Sequence, residues 1–66
     1  MSGQTILQEV LFEFHVVGSH VKVSAVCPVR NVEVIVIGPA SAPRTHLKML
    51  ARRKLERRIL QLQGEV

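Results

Sequence analysis

The chain has 66 residues and a mass of 7.4 kDa, room for one small domain in which only about 60% of the unfolded surface is buried on folding. Hydrophobic residues make up 47% and the mean hydropathy is +0.24, which excludes a disordered polar chain and points to an apolar surface beyond a monomer's own core. Aromatic residues are only 3%, so the core rests on Val, Ile and Leu with Phe12 and Phe14 as its large fillers. Chains of this size usually add a disulfide, a metal or a second subunit. The single cysteine, Cys27, has no partner for an internal disulfide. Its presence as a free thiol, with no basic and apolar leader at the start, leads to an expected cytoplasmic location.

Residues 1–8 precede the first regular element and are expected to be flexible. Residues 9–17 then alternate apolar and polar side chains. Val10, Phe12, Phe14 and Val16 fall on one face, with Glu9, Leu11, Glu13, His15 and Val17 on the other, the pattern of a strand with one buried side. Gly18 and Ser19 form a two-residue turn, with glycine at the first central position tolerating the positive φ of a type II′ hairpin. Residues 20–27 make the second strand, with Val21, Val23, Ala25 and Cys27 inward and Lys22, Ser24 and Val26 outward. Pairing Val17 with His20 sets His15 opposite Lys22 and Phe14 opposite Val23, so the two apolar faces coincide.

Pro28 to Asn31 break the ladder, because proline donates no hydrogen bond and asparagine favours turn geometry. A third strand over residues 32–37 follows, with Cys27 facing Val32. Val34 and Val36 then join the inner face, and Glu33, Ile35 and Ile37 the outer one. Gly38 and Pro39 end the sheet. Ser41 is the expected N-cap of a helix over residues 43–63, and Gly64 its expected C′ residue. Leu47, Leu50, Ala51, Leu55, Ile59 and Leu62 supply its apolar face. The predicted fold is a single α+β domain, a three-stranded antiparallel β-meander followed by one C-terminal amphipathic α-helix packed on one face (β-β-β-α). The longest apolar run, residues 34–37, is far short of a membrane span.

The leftover residues carry the functional argument. Leu11, Val17, Val26, Ile35 and Ile37 lie on the sheet's outer face among polar neighbours, too apolar for a fully solvated side. A three-stranded sheet also leaves two open edges. Together these features predict self-association as a homodimer, with a further protein partner as a second possibility. Charge divides the chain. Residues 1–41 hold two basic and three acidic residues, net −1, whereas residues 42–66 hold seven basic residues against Glu56 and Glu65, net +5. The basic helix suggests the alternative reading, a nucleic-acid-binding module in which Lys48, Arg52, Arg53 and Arg57 meet phosphates. Against it stands a simpler account, in which long basic stems cover apolar surface and later-turn cations complement the helix dipole.

Other chemistries find little support. Phe12 and Phe14 resemble a base-stacking pair, but Glu9 and Glu13 flank them, which favours core packing. His15, His20, His46 and Cys27 lack any metal-ligand spacing, and no metal or cofactor is expected. With no Asp in the chain and no Gly-rich phosphate loop, no enzymatic activity is expected. An active site assembled at a subunit interface from Glu13, His15 and Cys27 is the remotest alternative. The stretches at residues 9–18 (EVLFEFHVVG), 21–25 (VKVSA) and 50–56 (LARRKLE) resemble a family of short uncharacterised proteins found chiefly in alphaproteobacteria. The resemblance implies a freestanding three-strand-plus-helix bacterial protein and carries no catalytic residues with it.

Overall fold

The computed structural model describes residues 9–64. The expectation of flexibility at residues 1–8 lies outside them. Three strands, β1 (Leu11–Val17), β2 (His20–Cys27) and β3 (Val32–Pro39), are followed by one helix, α1 (Arg44–Gly64). The strands form one antiparallel sheet in the order β1-β2-β3, so β2 is central and β1 and β3 are edges. The fold is therefore β-β-β-α. The first strand is shorter than expected at its start, the third runs two residues further, and the helix is displaced by one residue at each end.

The turn chemistry sets the register. Gly18 adopts φ 61° while Ser19 does not enter the positive-φ region, as a turn with glycine at its first central position requires. Val17 pairs with His20, His15 with Lys22 and Phe14 with Val23. Across the second turn Asn31 takes φ 55°, a conformation that asparagine tolerates better than most residues, and Cys27 pairs with Val32. Ser41 does not cap the helix. The amide of Leu47 donates to the carbonyl of Pro43 at 3.2 Å, so Pro43 occupies the capping position and its missing N–H costs nothing there. Gly64 is the last residue of the helix and not the residue beyond its end.

The core is narrow. Val21, Val23, Ala25 and Cys27 from β2 and Val34 from β3 meet Leu47, Ala51, Leu55 and Ile59 from α1. The four helical residues recur every fourth position, one ridge of the helix surface rather than a broad face. Leu50 and Leu62, expected on that face, are 38% and 40% exposed. The reason lies in where the helix sits. It packs on β2 and β3, over small side chains that allow close approach, and at Gly38 a Cβ would stand 2.6 Å from Leu47 Cδ2. The bulky Phe12 and Phe14 of β1 stand beside the helix instead of beneath it. Both are half-buried, and Val16, expected inside, is 58% exposed.

Candidate functional site: an open edge and a basic helix

The flank of α1 that faces β1 is closed by cations. The Arg44 guanidinium lies 4.9 Å from the Phe14 ring centroid, and the Lys48 ammonium lies 5.0 Å from that of Phe12. Both distances fall within cation–π range, worth about 0.5–1 kcal/mol at exposed sites. Arg44 stands at the helix N-terminus, where the dipole disfavours a positive charge, so its partnership with Phe14 is the favourable contribution there. Beside Lys48, an open groove of about 350 Å³ is lined by Phe12, Thr45, Lys48, Met49 and Arg52.

The four basic residues of the nucleic-acid reading do not share a face. At about 100° per residue, Lys48 and Arg57 lie on opposite sides of α1. Lys48 and Arg52 point toward the β1 flank, and Arg52 Nε sits 3.7 Å from Glu56 Oε2. Arg53 faces away from the sheet. Arg57 borders a shallow depression with Lys54 and Val34 on the β3 side. The last helical turn carries no basic residue, so the dipole accounts for none of the helix's cations. Covering apolar surface accounts for two of them, Arg44 and Lys48.

The opposite flank is closed differently. Lys54 reaches over β3 and donates from Nζ to the carbonyl oxygen of Ile35 at 2.8 Å. Sequence periodicity gave no sign of this contact, because it joins residues 19 apart through the long arm of one side chain.

On the sheet's outer face, Leu11, Val17, Ile35 and Ile37 are 51%, 69%, 39% and 66% exposed, and Val26 is half-buried. They do not form one patch. Leu11 pairs with Val26 at one corner, Ile35 and Ile37 follow β3, and Val17 stands at the far end of β1. Glu13, His15, Lys22 and Ser24 lie between them, with His15 Nε2 3.7 Å from Glu13 Oε1. Cys27 is buried on the inner face, so the sheet separates its thiol from Glu13 and His15 within one chain. Among the described residues, no group of three His, Cys, Asp or Glu side chains is placed to hold a metal ion. No described helix is long and apolar enough to cross a membrane.

An antiparallel three-stranded sheet with one helix seated off-centre on it defines a small α+β protein of β-β-β-α order. The chain belongs to the DUF6898 family, a domain of unknown function, whose model matches residues 7–62. No curated protein and no solved structure matches it.

Proposed function

We propose that this protein is a small non-catalytic interaction protein that works as a homodimer. The observation that carries the reading is the amount of apolar surface left open. Among the described residues, ten large hydrophobic side chains are exposed, one more than the nine hydrophobic residues that form the core. A chain this small gains from covering such surface with a second subunit. We also take it to be cytoplasmic and of alphaproteobacterial origin, on the free buried Cys27 and on the resemblance described above. Sedimentation velocity at high micromolar concentration tests the reading. A species of twice the 7.4 kDa chain mass is expected, and a strict monomer would remove its main support.

A second reading, nucleic-acid binding, is favoured by one feature. Lys48 and Arg52 border the groove in which Phe12 is half-open, a cation-and-ring combination suited to a single strand. It predicts binding to DNA or RNA that weakens steeply with salt and falls when Lys48 and Arg52 become Ala.

A further inference from the structure

The two edges of the sheet are unequal. β3 is guarded, since Lys54 occupies the Ile35 carbonyl and Pro39 closes the strand. Among the described residues, β1 has neither device. Its seven residues, LFEFHVV, contain no proline, lysine or glycine, and the helix packs on the other two strands. Exposed edges of this length are rarely left bare, because their free backbone groups recruit another strand.

The direction of those groups follows from the first turn. Val17 and His20 flank a two-residue turn and so form a bonded pair, which makes Ile35 and Ser24 a non-bonded one and leaves the Ile35 carbonyl facing outward, where Lys54 meets it. Bonded and non-bonded pairs alternate along antiparallel strands. Ser24 therefore bonds to Glu13 on β1, and Phe12, Phe14 and Val16 turn their backbone groups toward the open edge.

We infer that a second copy of this chain pairs with β1 antiparallel about a two-fold axis at Phe14, making one six-stranded sheet. This deepens the homodimer reading and rests on it. The β1 edge is self-complementary. In this register Phe14 faces its own copy and Phe12 faces the partner's Val16, so the half-buried rings and the exposed valine cover one another. On the outer face Glu13 meets an imidazole that offers it an N–H, the partner's His15, and Leu11 meets the partner's Val17. Leu11 already adjoins Val26, so apolar corners that are separate in one chain become contiguous. Moving the axis to Glu13 sets two carboxylates directly opposite, a destabilising pair. Moving it to His15 places Glu13 against an apolar partner, the partner's Val17. The axis at Phe14 is the one that matches every pair, and the two-fold makes each off-axis match occur twice.

The test uses the edge-facing amide of Val16. Proline tolerates an edge position and removes only an N–H that faces outward, so Val16→Pro keeps every β1–β2 hydrogen bond. The wild-type chain is expected to sediment as a dimer, V16P as a monomer, and Ile37→Lys, on the outer face far from β1, as a dimer. Circular dichroism reports whether V16P is folded. Amide exchange on the wild-type chain decides the matter without any variant. The amides of Phe12, Phe14 and Val16 are expected to slow by about tenfold or more on going from dilute to concentrated protein. A dimer that survives V16P but is lost in I37K, or one whose Phe12, Phe14 and Val16 amides exchange as fast as in dilute protein, would overturn the β1 pairing and leave self-association standing. A wild-type chain that stays monomeric would overturn both.

Discussion

Lys54 Nζ lies 2.8 Å from the carbonyl oxygen of Ile35, and through this bond the helix closes the β3 edge of the sheet it packs on. The contact is exposed, so water replaces the donor when the amine is lost. Lys54→Met is expected to cost under about 1 kcal/mol in thermal or urea unfolding. Its larger effect is on assembly. With β3 unguarded, the variant should form species beyond the proposed dimer at concentrations where the wild-type chain does not, read by light scattering.

Gly38 makes room for Leu47. A methyl group there would stand 2.6 Å from Leu47 Cδ2, and Leu47, at 2% exposure, has no solvent to move into. Gly38→Ala is expected to destabilise the fold by about 1–3 kcal/mol through overpacking. In a Leu47→Ala background, itself destabilised, Gly38→Ala should cost less than it does alone, since the clashing atom is gone. Chemical denaturation of the two single variants and the double variant measures the coupling.

The ridge of α1 and its outer side should respond differently to truncation. Leu55 is fully buried, whereas Leu60, five residues on, is 51% exposed. Leu55→Ala is expected to cost about 2–5 kcal/mol, comparable to the whole stability of a domain this size, and to abolish the cooperative melt. Leu60→Ala should shift stability by only about 0.5 kcal/mol.

The cations over the aromatic pair make a measurable prediction as well. A double-mutant cycle of Arg44→Ala with Phe14→Ala should give a coupling of about 0.5–1 kcal/mol, and so should Lys48→Ala with Phe12→Ala. The mixed pairs, Arg44 with Phe12 and Lys48 with Phe14, should couple less. Equal coupling in all four cycles would mean that the basic side chains act as a diffuse charge and not through the ring faces.

Much of this architecture is legible in the residues. Two-residue and four-residue turns at Gly18 and Pro28, with period-two alternation, are enough to pair Val17 with His20 and Cys27 with Val32, because slipping one strand by a residue would turn its inward valines outward. The lateral position of the helix is not legible in that way. Alternation identifies which face of β1 is apolar, but not that α1 rests on β2 and β3, and so Val16 is open and the phenylalanines are covered by Arg44 and Lys48. Leu50 and Leu62 fit a helical period loosely, yet the contact follows the four-residue spacing of Leu47, Ala51, Leu55 and Ile59. The asymmetry of the two edges depends on Lys54, one lysine among seven basic residues in the same segment, and only its three-dimensional reach distinguishes it.

The most direct test is an isotope-filtered NOE experiment on an equal mixture of labelled and unlabelled chains. The account predicts intermolecular cross-peaks between Phe12 and Val16 and between Glu13 and His15, with none from Ile35 or Ile37. Intermolecular contacts confined to the two isoleucines of β3, or an associated protein with no contact from β1, would contradict it.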